Sequence, residues 1–187
     1  MERKIVYFES KGSENTAEAL RIARARAQEL GIRQVVVAST HGRTALKAAE
    51  VFQGTGVQII AVSISASFDE MGWTLTAEER RRMEERGIRV LTSLHALADG
   101  VSEAFQGEIT PGTIVANTLR WFAQGMKVAV ETSIMALEAG FVAAGAEIIA
   151  IAGTDEGADT AIVIRPSFAR KAKDVRICEI LCKPRIA

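Results

Sequence analysis

Six consecutive residues could bind an anion where a β-branched run gives way to a helical pattern. Hydroxyl and guanidinium groups donate hydrogen bonds to phosphate, and a glycine lets the backbone approach closely. A helix N-terminus adds free N–H groups and a positive dipole end. The same residue types are common helix caps, so a plain cap with a solvated arginine is the alternative. The six residues are Ser39, Thr40, His41, Gly42, Arg43 and Thr44.

A second polar loop follows a later apolar run and ends in another one. Its two glycines would allow close approach of a ligand, or they serve a hairpin that needs positive φ angles. Its acidic side chains would repel phosphate and suit the hydroxyl groups of a ligand. The candidate binding residues of this loop are Gly153, Thr154, Gly157, Asp159 and Thr160.

Two residues are candidates for proton transfer. Glu131 lies within an apolar helical segment, where a carboxylate is either on an exposed stripe or buried with a partner. If it is buried and faces a cleft, it could act as a general base. His41 could donate to an anion. The sequence lacks the P-loop, GxGxxG, GxSxG, HExxH and CxxC motifs, which disfavours a nucleotide-dependent kinase or a standard NAD enzyme and predicts no metal site.

Length and composition limit the class of protein. The 187 residues are predicted to form one domain over 1–187. Lys plus Arg equals Asp plus Glu at 23 each, so no bulk field favours nucleic acid or an anionic membrane. We see no apolar run of about 20 residues that could span a bilayer and no signal-peptide core. Cys178 and Cys182 are predicted to be reduced and buried, which indicates a cytoplasmic protein.

Strand and helix patterns alternate along most of the chain. Near-continuous apolar runs indicate strands that are buried on both faces of a parallel sheet. Strands are predicted at 5–8, 34–38, 57–64, 88–91, 147–153, 160–166 and 175–184. Helices are predicted at 16–30, 43–52, 77–86, about 94–106, 111–122 and 126–140.

This order predicts an α/β fold, a three-layer αβα sandwich around a mostly parallel sheet. The link between 153 and 160 is too short for a parallel crossover, so the sheet should include antiparallel edge strands. Both candidate ligand-binding loops would then lie at the carboxyl edge of the sheet, where ligands collect in open α/β folds. The apolar faces of the helices at 16–30 and 126–140 would suit either a core or a homo-oligomer.

The chain resembles the C-terminal domain of pyruvate kinase through "ASTHGRTALKAAE", "VQIIAVS" and "EIIAIAGTDEGADTAIVIRP". It is more similar still to a family of stand-alone archaeal and bacterial proteins of unknown function with that fold. That likeness includes "ENTAEALRIA" and "VETSIMA". The resemblance implies the pyruvate kinase C-terminal fold. It does not imply kinase activity, because the catalytic barrel of the kinase has no counterpart here.

The resemblance also implies a ligand site. In pyruvate kinase the loop matching residues 39–44 holds a phosphate of a sugar-bisphosphate effector, and the loop matching 153–157 closes over it. Asp155 and Glu156 stand where the kinase domain is neutral or basic, which favours a ligand with one phosphate. The stand-alone family resembles proteins that bind flavin mononucleotide (FMN), which has one phosphate, a ribityl chain and a flat ring.

Three functions are consistent with these residues. The first is a binding protein that holds the FMN phosphate at 39–44, the ribityl chain near 153–160 and the ring beside the loop after Ile64. Phe68 or Trp73 would cover the ring, or would pack as core residues under the loop. The second is a flavin-dependent oxidoreductase with Glu131 or His41 in proton transfer. The third is a regulatory module that senses a sugar phosphate.

Overall fold

The computed structural model describes residues 2–98, 100–107 and 109–186. Within them, seven strands form one sheet: β1 (Val6–Phe8), β2 (Gln34–Ala38), β3 (Gln58–Ser63), β4 (Arg89–Thr92), β5 (Ile148–Ala152), β6 (Thr160–Arg165) and β7 (Arg176–Pro184). The strand order is β1-β7-β6-β5-β2-β3-β4. Strands β2, β3, β4 and β5 pair in parallel, and β6 pairs antiparallel with β5 and β7. The predicted mostly parallel sheet, with antiparallel pairing after residue 153, is confirmed.

Helices cover both faces of this sheet. Their bounds are α1 (Thr16–Leu30), α2 (Arg43–Val51), α3 (Ala77–Glu84), α4 (Val101–Gln106), α5 (Pro111–Arg120) and α6 (Gln124–Glu138). Thr76 and Thr110 cap α3 and α5 through capping boxes: each hydroxyl accepts the N–H of the residue three positions later, and each backbone N–H donates to the side chain of that same residue. None of the helices in the described residues has the length and apolar character needed to cross a bilayer.

The core has two parts, one on each face of the sheet. On one face, α1 and α2 pack with Val35 and Val37 of β2. On the other face, α6 packs with Val36, the β2 residue between Val35 and Val37 in the sequence. The alternation shows that β2 is buried on both faces, as the continuous apolar run predicts. The apolar faces of α1 and α6 belong to these two core layers, so their sequence pattern is explained by the core.

The start of one helix differs from the prediction. The helix expected from about 94 begins only at Val101. Before it, the backbone N–H of Leu97 donates to Glu131 Oε1 over 3.1 Å, so this segment is tied to α6. Asn15 precedes α1 without capping it through its side chain, which donates to the backbone carbonyls of Ser10 and Gly12.

The prediction that both cysteines are buried is wrong for one of them. Both cysteines are free, but Cys178 is exposed and only Cys182 is buried. The pairing of β7 with β6 shifts register between Val163 and Ile164, and the partners there are Glu179 and Ile177, which leaves Cys178 without a paired position. Burial raises the pKa of the Cys182 thiol to about 12, so this thiol stays protonated at neutral pH.

Candidate functional site

A cavity of about 690 Å³ opens at the carboxyl ends of β2, β3 and β5. Its floor is formed by the strand ends, from Ala38, Val62 and Gly153. The N-terminus of α2 forms one wall, and one face of α6 forms the opposite wall. Because α2 and α6 cover opposite faces of the sheet, the cavity spans the sheet edge from one helical layer to the other. This is the place where open α/β sheets bind ligands.

The 39–44 loop contributes five of its six candidate residues to the α2 wall: Ser39, Thr40, His41, Arg43 and Thr44. Gly42 does not line the cavity. It precedes α2 with φ at 82°, and a Cβ there would lie 2.9 Å from the Met83 sulfur. A glycine is therefore required by the turn, as the left-handed φ and the close packing both show.

The start of α2 has free backbone donors. Ser39 Oγ accepts the N–H of Ala45 over 3.2 Å, which holds the loop against the helix. The N–H groups of Arg43 and Thr44 precede this position and have no acceptor inside α2. Lys47 lies one turn beyond Arg43 and also lines the cavity. The α2 wall thus offers N–H groups, hydroxyls and two cationic side chains to an anion.

The α6 wall consists of residues at helical spacing. Its members are Gln124, Lys127, Val128, Glu131, Thr132 and Met135. Lys127 and Glu131 form an ion pair one turn apart, and their side chains are 7% and 3% exposed. The backbone N–H of Leu97 donates to the other carboxylate oxygen of Glu131. Of the two environments that the sequence leaves open for Glu131, the structure shows burial with a partner.

The 153–157 loop closes a third side of the cavity. Gly153, Gly157 and the exposed side chains of Asp155 and Glu156 line it. Glu156 forms an ion pair with Arg43 over 3.0 Å, and both side chains are more than two-thirds exposed. This contact joins the two candidate loops across the cavity mouth. An exposed pair of this kind contributes little to stability.

The remaining candidates of this region lie behind the cavity wall. Asp159 and Thr160 are fully buried, and neither they nor Thr154 line the cavity. One Asp159 oxygen accepts the N–H groups of Gly12 and Thr154, over 3.0 and 3.1 Å. The other accepts the Thr160 hydroxyl over 2.8 Å. Asp159 therefore fixes the position of the loop.

Aromatic rings lie at the side of the cavity that follows β3. Trp73 lines the cavity and is half exposed. Phe68 stacks on Trp73 with 6.1 Å between ring centroids and 6° between ring planes, and it also contacts His95. The loop after β3 thus presents an indole to the cavity, with a second ring supporting it from behind.

His41 connects the 39–44 loop to α3. Its Nδ1 lies 3.2 Å from a carboxylate oxygen of Glu79, the residue that completes the α3 capping box. Burial acts to raise the pKa of Glu79, but hydrogen bonds from Thr76 and His41 outweigh it, and the pKa lies below its usual value. Glu79 is therefore ionised at neutral pH, and it orients the His41 ring.

Sequence reasoning missed the two lysines of the cavity, Lys47 and Lys127. The signal for Lys127 was present, because it precedes Glu131 by four residues in an otherwise apolar segment. Three cationic and three acidic side chains line the cavity, not counting His41 and His95, so side-chain charges nearly balance. In the part of the chain that the structure describes, no group of three or more His, Cys, Asp or Glu could hold a metal ion.

Comparison with known proteins identifies the family. The model of the pyruvate kinase alpha/beta domain matches residues 17–164. A crystal structure of a pyruvate kinase from Cryptosporidium parvum is 14% identical and has a TM-score of 0.39, with 79% of this chain and 22% of that chain covered. The Cryptosporidium parvum pyruvate kinase in complex with ADP is 15% identical and has a TM-score of 0.38, with 88% and 24% covered.

The chain spans less than a quarter of the length of these kinases. The described residues form one seven-stranded α/β sheet and contain no catalytic barrel. The family match covers most of the sheet, both walls of the cavity and the 153–157 loop. The chain belongs to the pyruvate kinase alpha/beta domain family.

Proposed function

We propose that this protein binds a small molecule with one phosphate group in the cavity at the carboxyl edge, and that the ligand is FMN. One observation carries the proposal: residues at the N-termini of α1, α2 and α6 line the same cavity. Each of these helices leads into a parallel strand, so its positive dipole end lies at the carboxyl edge. Because the side-chain charges nearly balance, these dipoles favour an anion.

The α2 wall is the proposed phosphate site. It combines the free N–H groups of Arg43 and Thr44 with the hydroxyls of Ser39 and Thr40, all at one helix start. The first turn of α1 has no cationic side chain, and Lys127 in the first turn of α6 is already paired with Glu131. Arg43 and Lys47 add charge that a phosphate would neutralise.

The remaining cavity suits one ring and a polyol better than a second phosphate. Its volume lies within the range of about 300–1,000 Å³ typical of small-molecule sites. Trp73 offers a face for a flat ring. Asp155 and Glu156 can accept hydrogen bonds from ribityl hydroxyls, whereas they would repel a second phosphate. We propose binding as the function; an oxidoreductase role for His41 or Glu131 would use the same site.

The phosphate site predicts a selective effect of Arg43→Ala. We expect FMN affinity to fall about five- to tenfold, because a charge-assisted contact to the phosphate is lost. Riboflavin, which lacks the phosphate, should bind with unchanged affinity. Fluorescence-quenching titrations of both flavins against wild type and variant measure this difference.

Arg33→Ala is the matched control, because Arg33 is an exposed arginine beside the opposite end of β2. It should leave both affinities unchanged. Wild-type protein that binds FMN no better than riboflavin would overturn the phosphate site. If the fluorescence of neither flavin is quenched at millimolar protein, the flavin proposal is overturned. Inorganic phosphate and sugar phosphates would then be titrated by calorimetry.

Glu156→Gln is expected to strengthen FMN binding by about two- to fivefold. The substitution removes a negative charge from the cavity mouth and releases Arg43 from its ion pair for the phosphate. The gain should shrink at high ionic strength, because both groups are exposed and salt screens them. Titration at low and high salt tests this, and an affinity that falls in the variant would place the phosphate elsewhere.

A further inference from the structure

We infer that Lys127 is a second ligand-binding group of the cavity, whose ammonium donates to a carbonyl or anionic oxygen at the end of the ligand opposite the phosphate. The inference rests on the proposed function, because it concerns the other end of the same ligand. For FMN, the groups of this chemistry are the carbonyl oxygens of the pyrimidine part of the ring.

The hydrogen bonds of the ion pair leave Lys127 with spare donors. Each Glu131 oxygen already accepts a donor, one from Leu97 N–H and one from Lys127. The ammonium has three donors. Among the described residues its side chain has one hydrogen-bond partner, Glu131. The other two donors belong to a side chain that is more than nine-tenths buried and lines the cavity.

The energetics of a buried ion pair also support a binding role for Lys127. Burying an ion pair removes both charges from water, and an apolar pair of similar size is often as stable or more stable. The helix around Lys127 is apolar and packs into the core, where such a pair is an unfavourable choice for stability alone. A buried pair on a cavity wall has a further use: Glu131 holds the ammonium in place without taking all of its donors.

The position of Lys127 fits a ligand that spans the cavity. It lies in the first turn of α6, at the carboxyl edge, in the helical layer opposite α2. The phosphate site lies at the start of α2, so the two groups face the cavity from its two walls. Trp73 lines the same cavity, where its indole can cover a flat ring that reaches Lys127.

The test uses the full chain with both charges of the pair removed, Lys127→Met/Glu131→Gln. The glutamine keeps an acceptor for the Leu97 N–H, and no charge is left buried alone. Affinities for oxidised FMN, and for FMN reduced with dithionite under anaerobic conditions, are measured by titration. A cation beside the pyrimidine carbonyls favours the reduced ring, which carries more negative charge.

We expect the double variant to bind oxidised FMN about threefold to tenfold more weakly than wild type does. For reduced FMN, the loss relative to wild type should be at least about tenfold larger than the loss for oxidised FMN. Riboflavin should show the same loss as FMN, because the phosphate site is unchanged. A purely structural pair would lower both affinities equally, so an unchanged ratio of oxidised to reduced affinity overturns the inference.

A second ion pair, which is partly buried, provides the control. Arg26 in α1 contacts Glu179 of β7 over 2.5 and 2.8 Å, away from the cavity. Arg26→Met/Glu179→Gln should leave both FMN affinities at wild-type values. If wild type binds no flavin, the proposed function fails. If wild type binds flavin and the Lys127 variant binds both forms as wild type does, only the present inference fails.

Discussion

Replacing Lys127 alone by methionine is expected to lower the free energy of unfolding by about 3–5 kcal/mol. The substitution leaves the Glu131 carboxylate in a site that is 3% exposed, with Leu97 N–H as its remaining donor. Desolvation of an unpaired carboxylate is not repaid by one neutral hydrogen bond. Urea denaturation followed by circular dichroism measures the loss, provided that the slope with denaturant is unchanged.

The double variant Lys127→Met/Glu131→Gln separates charge from packing. It should recover most of the lost stability and unfold within about 1.5 kcal/mol of wild type, since no buried charge remains. A single variant as stable as the double would mean that Glu131 reaches water. In that case the buried-pair argument for Lys127 as a ligand-binding group would lose its energetic support.

The sheet was predictable because its signal is periodic and continuous. The apolar runs that become β2, β3 and β5 are long enough to mark strands buried on both faces. The short link after Gly153 fixes the antiparallel pairing by chain length alone. The placement of both candidate loops at one edge follows from parallel strands, because their carboxyl ends share an edge.

The parts that could not be predicted depend on single tertiary hydrogen bonds. The irregular backbone around Leu97 is tied to Glu131, a contact that leaves no pattern in the sequence around either residue. Asp159 was expected to meet a ligand as an acid of a polar loop. The structure buries it behind the wall, bonded to Gly12 from the other end of the chain. A contact between residues so far apart cannot be read from local propensity.

The candidate site divides in the same way. The 39–44 loop was identified because cap residues and a glycine have fixed places relative to a strand end and a helix start. The α6 wall was identified only through Glu131. Lys127 was overlooked because a lysine in a helical pattern is normally solvated, and only the packing of α6 between other elements shows that it is buried.

Asp159→Ala is expected to destabilise the protein by about 3–5 kcal/mol. The substitution removes the acceptor of three hydrogen bonds at once. The donors that lose their acceptor are the N–H groups of Gly12 and Thr154 and the hydroxyl of Thr160. Asp159 is fully buried, so water cannot replace these bonds without opening the loop. Thermal and urea unfolding measure the change.

Glu156→Ala in the same loop is the control, because Glu156 is exposed and its removal should change stability by less than about 1 kcal/mol.

Asp159→Ala should also weaken FMN binding. Without its bond to Gly12, the loop no longer holds Gly153 and Gly157 against the cavity. The loop packs closely on the segment around Ser13, because a Cβ at Gly157 would lie 2.5 Å from Ser13 Cα. If Asp159→Ala folds stably but loses FMN outright, Asp159 contacts the ligand, and the wall assigned to it here would have to open on binding.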